Sequence, residues 1–593
     1  MRVAKNTRKL NPPLKEIYSK ERDPEEEKAA HEALKHFVTD STGAIYTTTP
    51  LVPELFAALL KARYSRTELS AKQLLWREFV SQKENIPWGE IQKGLNFLDE
   101  VLNYSRAEGV AERILLQYGD DSVFELGGAH LFLDRVSMVA SKVIEDARIG
   151  LSPLEKSTRY VIFDQKDALG DYLFFKDPKI ISSKHKNLFF KVTRQCFEVY
   201  GKAVNLFLEY YKKQVPIEKE NFPDLVSGKL TPYKKLKDEK SIKAANLAYN
   251  QSIKAKACDV ARVLLPASTL TNIGEFGNGR AYGYLFTKML AQDLSEMQMI
   301  AYEGTREIKK ILPKFLDVVD NKYGKAYQQY LRKTDRILRK KAQKLLSGMK
   351  PEVVERVELI ELDKNPEINI AAALLYPYCN LSLKQLVKFM QKAHPKVVSG
   401  ILHDSLKYRT NRRHKPPRAY EIAGYELVFD ILGNFGIYRD LHRQRMLTQQ
   451  RQDYTTSHGF DMPQEFSEIK MEKEFESVMV NMKKANQKVK KDLPQESQYL
   501  TTLANYTRWY MGMNLREAFW LTELRSVPQG HFSYRTIAQD MFLKASQRYP
   551  FLKNLKSGQE HHVDMSDRRE NLERMEAMQR IQIKLSQIED KYS

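Results

Sequence analysis

The strongest constraint on this chain is an internal duplication, because two unlike copies of one pattern require the same supersecondary unit to be built twice. The run A-L-L-K-A-R-Y-S-R-T-E-L-S-A-K-Q-L from Ala58 is echoed by A-L-L-Y-P-Y-C-N-L-S-L-K-Q-L from Ala373. V-F-E at 123–125 is echoed by A-Y-E at 419–421, and E-M-Q-M-I-A at 296–301 by S-Y-R-T-I-A at 533–538, in the same order. The echoes lie farther apart in the first half, which places the largest insertion at about 161–255.

At 593 residues the chain is too long for one core. The organisation expected is an N-terminal extension (1–50), a first copy (51–345), a linker (346–368) marked by Gly348 and Pro351, a second copy (369–555) and a tail (556–593). Leu572, Met575, Met578, Ile581, Leu585 and Ile588 predict an amphipathic helix in that tail. Helical spacing recurs at 24–37, 54–64, 70–82, 188–211 and 282–312. Stretches rich in β-formers stand at 122–133 and 159–163, with counterparts at 419–429 and 454–460. Helices packed on a modest sheet in each copy make the fold class α+β.

Composition narrows function only broadly. No apolar run reaches the roughly 18 residues that span a bilayer, and the basic N-terminus lacks the apolar core of a secretory signal, so a cytoplasmic location is expected. Cys196, Cys258 and Cys379 have neither metal-ligand nor disulfide spacing. The net charge of +21 favours anionic partners without choosing among them. His561-His562 with Asp564 reads as a surface loop, whereas Arg409, Arg412, Arg413, His414, Lys415 and Arg418 suit either a loop or a phosphate clamp.

Two short motifs carry the chemistry. S-P-L-E-K-S-T-R-Y at 152–160 lies in the first copy and Y-R-D-L-H-R-Q-R-M at 438–446 in the second. Together they resemble the flavin-dependent thymidylate synthases (ThyX), whose signature is Arg-His-Arg followed by Ser, Asn, Glu, Ser and Arg-Tyr. The first copy supplies Ser152, Glu155, Ser157, Arg159 and Tyr160 in register, but has Ala147, Arg148 and Ile149 at the Arg-His-Arg and Leu154 at the Asn. The second supplies Arg443-Gln444-Arg445 for the opening, with Asp453 and Thr455 at the later Ser and Arg. A-R-V-L-L-P at 261–266 resembles the family's Ala-Arg-x-x-Leu-Pro, and Ser533-Tyr534-Arg535 its late Glu-Ile-Arg. What one copy lacks, the other keeps.

The resemblance implies a composite site, with Ser157, Arg159 and Arg262 holding a dUMP-like nucleotide from one side and Arg439 or Arg443 with Arg535 from the other. Arg443 and Arg535 are the catalytic candidates, polarising the pyrimidine. Glu421, Arg443, Arg445 and Arg525 stand at the flavin-binding positions. FAD is the implied cofactor, NADPH and methylenetetrahydrofolate the co-substrates, and a homodimer would rebuild the family's four-copy assembly. Arginine suits this work because its planar fork matches phosphate oxygens. Each motif also has a plainer reading: Ser157 and Arg159 can brace a turn, and Arg439, Arg443 and Arg445 can form a solvated face. Two further function classes stay open at this level, a non-catalytic nucleotide- or FAD-binding descendant and a uracil-directed nucleic-acid methylating or binding protein.

Overall fold

The computed structural model describes residues 24–41, 48–49, 52, 54, 57, 60, 71–76, 125–312, 314–410, 414, 416–528, 530–549 and 563–566. After α1 (Pro24–Leu34), the first copy runs through β1 (Gly128–Ser137), α2 (Met138–Glu145), β2 (Leu151–Glu155), α3 (Lys186–Gln214), α4 (Glu239–Ala261), β3 (Leu270–Asn278), α5 (Gly279–Leu290) and α6 (Ser295–Lys309). The helix α7 (Lys322–Leu345) joins the copies. The second copy comprises β4 (Val357–Leu359), α8 (Pro366–Leu375), α9 (Leu383–Lys392), α10 (Pro395–Leu406), β5 (Leu427–Asn434), α11 (Phe435–Leu441), β6 (Thr448–Arg451), α12 (Glu472–Lys490), β7 (Tyr506–Met513), α13 (Leu515–Ser526) and α14 (Phe532–Arg548). The architecture is α+β, built twice.

The duplication is visible in strand order and in capping. The first sheet is β1-β3-β2 and the second β4-β5-β7-β6, antiparallel throughout, so the central strands β3 and β7 correspond. Ser137 and Asn434 cap α2 and α11 with their side chains, each accepting from the amide three residues on. Asn278 and Asn514 do the same for α5 and α13. A bulge in β1 between Leu133 and Val136 has no counterpart in β5; once it is counted, Leu131–Glu275–Pro153 superposes in register on Phe429–Met511–Gln449.

One hydrophobic core runs through both copies, from Met138 and Ile144 to Trp509 and Met541. The copies also pair through equivalent loops: Ala267 N–H donates to the Thr501 carbonyl at 2.8 Å and Leu503 N–H to the Leu265 carbonyl at 2.9 Å. A second cluster, from α8, α9 and α10, covers the outer face of the second sheet at Val428 and Tyr510. Within the expected insertion, α3 buries Phe189, Val192, Cys196, Phe197 and Tyr200 at helical spacing. It packs on α12 of the other copy, where Asn481 donates to Gln195 at 3.0 Å.

Several elements differ from expectation. Residues 159–163 form a turn, and the strand precedes them at β2. Arg418–Gly424 is a 3-10 helix before β5, and 454–460 is irregular apart from the bridge of Phe460 to Asn505. The helix expected at 282–312 breaks at Ala291, where the backbone turns to start α6. The 346–368 segment contains β4, an edge strand of the second sheet. The helix expected in the tail, most of those at 54–64 and 70–82, and His561-His562 lie outside the described residues. Among the described residues no helix is long and apolar enough to cross a membrane.

Glu275 breaks the correspondence of the central strands. Its counterpart Met511 is buried apolar surface, whereas Glu275 is 3% exposed and neither carboxylate oxygen is hydrogen-bonded among the described residues. Burial, with Glu145 nearby, pushes its pKa up to about 8. A carboxyl raised in the folded state contributes stability that is full below its unfolded pKa and is lost as pH rises through the folded value. Glu275→Gln should therefore unfold like the native chain at pH 5 and be more stable at pH 9, on the order of 2–4 kcal/mol at about 1.4 kcal/mol per pKa unit. Thermal melts at the two pH values measure this; an equal shift at both would contradict it.

Candidate functional site

The candidate site forms where α2 and β2 of the first copy meet α11 of the second. Glu155, the last residue of β2, is buried and accepts from Lys142 at 2.9 Å, Arg439 at 2.8 Å and Arg443 at 3.4 Å. Glu145, on α2, lies against Lys142, His442 at 3.1 Å and Arg443 at 3.1 Å. Burial alone would raise both carboxyl pKa values, but Lys142, His442 and Arg443 around Glu145, and Arg439 and Lys142 around Glu155, hold them below the ordinary range. The two copies are thus joined through buried charge.

From this hub the site extends along 157–159 and the end of α4. Arg262, in the 3-10 turn after α4, pairs with Asp259 at 3.2 Å and reaches across to Asp440 at 3.2 Å. Arg262 and Arg439 both donate to the Thr158 hydroxyl, at 3.4 and 3.1 Å. Ser157 Oγ accepts the Arg159 amide at 3.2 Å, bracing the turn, and the Arg159 guanidinium lies 3.3 Å from Asp259. Burial would raise the Asp440 carboxyl, yet Arg262 and Arg159 hold it below its usual value.

The far wall comes from α13 and α14. Arg525 is half-buried among Asp440, Tyr534, Arg443 and Arg159, and burial lowers its pKa. Among the described residues it makes no ion pair, and its Nε is buried without a hydrogen bond. Tyr534 is buried, which raises its phenol pKa against the opposing charge of nearby Arg159. His531 caps α14 by accepting the Ser533 amide at 3.1 Å, and burial lowers its imidazole to about 4, so it is neutral near pH 7.

The structure therefore brings Ser157, Arg159, Arg262, Arg439, Arg443 and Arg525 into one neighbourhood within a single chain. Three expected residues go elsewhere. Arg535 points away from Tyr534 along the helix; it donates to the Ser526 carbonyl at 2.8 Å and the Ser566 carbonyl at 3.0 Å, tying α14 to α13 and to 563–566. Glu421 is exposed and lies 3.9 Å from Arg418, away from Arg443. Arg445 is exposed beside β2, donating to Leu151 O at 3.3 Å and Ser152 Oγ at 3.0 Å. Of the basic cluster at 409–418, His414 is buried in a ring stack with Tyr327 and Tyr330, and Arg409 donates to its carbonyl.

Sequence reasoning missed the acids. Asp259, three residues before Arg262, and Asp440, beside Arg439, carried a local signal in their helical and sequential adjacency. Lys142 and Glu145, three residues apart on α2, carried the same local signal, whereas His442 carried none, because its pairing with Glu145 exists only after the copies dock. Among the described residues no cluster of His, Cys, Asp and Glu suits a metal ion.

These features define a fused pair of α+β copies joined at one cluster of charged side chains. The chain belongs to the Thy1 family, described as thymidylate synthase complementing protein, whose model matches residues 74–314 and 358–551. It is similar to a UPF0159 protein of Chlamydia pneumoniae, 37% identical over 510 residues covering 86% of this chain and 90% of the relative. A UPF0159 protein of Chlamydia muridarum is 37% identical over 545 residues, 91% of this chain and 96% of the relative. One from Thermoplasma acidophilum is 33% identical over 459 residues, 76% and 88%. The chain is a tandem ThyX-like member.

The hub sets a stability test. Removing one partner of a buried ion pair costs about 3–5 kcal/mol because it strands the others. Glu155→Gln should therefore destabilise the whole chain by that amount in urea unfolding. A loss below about 1 kcal/mol would show that water or rearrangement satisfies Lys142, Arg439 and Arg443.

Proposed function

We propose that the cleft binds a dUMP-like nucleotide beside FAD and methylates its uracil with methylenetetrahydrofolate and NADPH, at a site composed from both copies. The observation that carries this reading is Arg525: a half-buried guanidinium that makes no ion pair among the described residues, flanked by Arg159 and Arg443, suits an anionic ligand. Arg262 and Arg439 are committed to Asp259, Asp440 and Glu155, and their shared contact with Thr158 makes them positioning residues for the Ser157–Arg159 turn. Arg443 is the catalytic candidate, since its side chain stays 36% exposed while bonded to Glu145. Tyr534 takes the place assigned from sequence to Arg535.

The residues fit a flavin in part. Arg443 and Arg525 can face a pyrophosphate, whereas Glu421 and Arg445 stand apart from them. A bound reduced flavin would supply the redox and one-carbon chemistry. The chain's own share is to orient the pyrimidine, hold its phosphate and keep water from the reacting face. The internal neutralisation of Arg262 and Arg439 favours a second reading, a nucleotide- or FAD-binding descendant without turnover.

Arg525→Ala should weaken dUMP or flavin binding by roughly 10- to 100-fold, the loss of one charge-assisted hydrogen bond of about 1.5–3 kcal/mol, while the melting temperature stays near native. Flavin absorbance, calorimetry with dUMP and tritium release from labelled dUMP read the three steps. Arg159→Ala mixed with Arg525→Ala should recover no activity, because both residues stand in one chain. Tight flavin and dUMP binding without tritium release would establish the second reading, and unchanged binding in Arg525→Ala would remove the assignment.

A further inference from the structure

The helices α3 and α12, one from each copy, form an antiparallel pair that is charge-matched at its two ends and like-charged between them. Lys202 pairs with Glu474 at 2.6 Å at one end, and Lys184 with Asp492 at 2.9 Å at the other, where His185 also meets Asp492 at 2.7 Å. Midway, Asn481 donates to Gln195 at 3.0 Å and fixes the register. That register sets Lys484 and Lys488, one turn apart on the face of α12 that carries Asn481, opposite 188–192 of α3. Lys191 lies in that stretch and Lys186 opens the helix. All four lysines are exposed, and none makes an ion pair among the described residues. Cations on the outer flank are neutralised, Arg194 by Asp171 at 2.9 Å and Lys176 by Asp171 at 3.2 Å. Lys186, Asn187, Lys191 and Asn481 line a groove of about 690 Å³ along this seam, in which Glu198 is the one acid among the described residues.

We infer that this groove holds one strand of nucleic acid, its phosphates against Lys186, Lys191, Lys484 and Lys488. Like charges that face each other across a helix pair repel, and a row of anions laid between them turns the repulsion into attraction. Separate cations on both lips suit phosphates strung along a backbone, whereas a compact anion such as inorganic phosphate meets only part of the row. Asn187, on the helix between Lys186 and Lys191, has no side-chain hydrogen bond among the described residues, so its amide offers a donor and an acceptor to a base edge. A duplex is too broad to enter a groove between two packed helices, and a single strand tracks such a channel. Glu198 limits the footprint to the half of the groove nearer Asp492, the half that carries the lysines. The net charge of +21 supplies a general pull on a polyanion, and the seam between the copies gives that pull a place.

None of these lysines stands at the site proposed for a nucleotide, so the two are tested separately. Fluorescence anisotropy of the full chain with a fluorescein-labelled oligothymidylate of about 12 nucleotides reads the binding. The native chain should bind this strand more tightly than the same strand paired with its complement, and log K should fall against log salt by roughly 0.7 per phosphate neutralised, about 3 for the whole row. The variant Lys186→Gln/Lys191→Gln/Lys484→Gln/Lys488→Gln replaces only exposed side chains and should melt as the native chain does. It should weaken binding by roughly tenfold or more at about 0.1 M salt and flatten the salt dependence. Lys229→Gln/Lys234→Gln/Lys235→Gln/Lys237→Gln removes the same charge from another exposed part of the first copy and should change the affinity by less than about threefold. An equal loss in both variants would show net charge alone at work and overturn the inference. Native affinity in the groove variant, a preference for the duplex, or groove-dependent binding to phosphatidylserine vesicles in place of the oligonucleotide would overturn it as well.

Discussion

Everything else in this molecule hangs on the buried charge cluster in which Glu145 and Glu155 of one copy face Arg439, His442 and Arg443 of the other. Desolvating such groups costs several kcal/mol per ion, and the cost is offset only where geometry is good and the remaining donors are met. An apolar contact between α2 and α11 would give comparable stability. The charged one gives registry, since a slip of one residue along either helix strands a buried ion. It therefore fixes how the turn at 157–159 approaches α11, and with it the spacing of Arg159, Arg443 and Arg525.

The cluster is also asymmetric. Lys142 and Arg439 are related by the pseudo-twofold, as are Glu145 and His442 by their place near the ends of α2 and α11. Two identical copies would oppose lysine to lysine and glutamate to glutamate across the axis. Divergence to opposite charge turns that repulsion into attraction, a solution open to a fused chain and closed to a symmetric assembly of identical subunits. The same logic explains Glu296, which accepts from Ser137 Oγ at 2.6 Å and from Tyr499 of the other copy at 2.8 Å. Burial raises that carboxyl to about 7, and the Ser137 hydroxyl and amide with the Tyr499 hydroxyl keep it from rising further.

Much of the fold was legible from particular residues. The echoes at 296–301 and 533–538 do mark equivalent first turns of α6 and α14, and the long apolar spacing at 188–211 does form α3. The central strand β3 was not legible, because L-T-N-I-G-E-F-G-N carries two glycines and a glutamate, a composition that reads as a loop until β1 and β2 pair on either side. In the site, Ser157 and Arg159 sit in the turn that the motif suggested. Arg535 illustrates the limit: sequence order could not tell which of Tyr534 and Arg535 faces the cleft, as adjacent helical residues point about 100° apart. Asp259 and Asp440 went unnoticed because motif reading looks for ligand contacts, and these acids hold the contacts in place.

Covalent fusion itself explains why the surroundings of equivalent residues differ between the copies. The peptide leaving α6 must travel to α8 as a single connection, and α7 makes that passage along only one side. Tyr330 and Arg339 line a cavity beside Val143 and Leu294, where Arg339 pairs with Asp453 at 2.7 Å. Arg339 neutralises Asp453, the position equivalent to Ser157, so that side of the chain is closed by an internal ion pair. Buried Met289 stands in place of Arg525, and Leu294 in place of His531. The loss of symmetry in the residues is thus a consequence of the loss of symmetry in the backbone, imposed by where the linking helix runs.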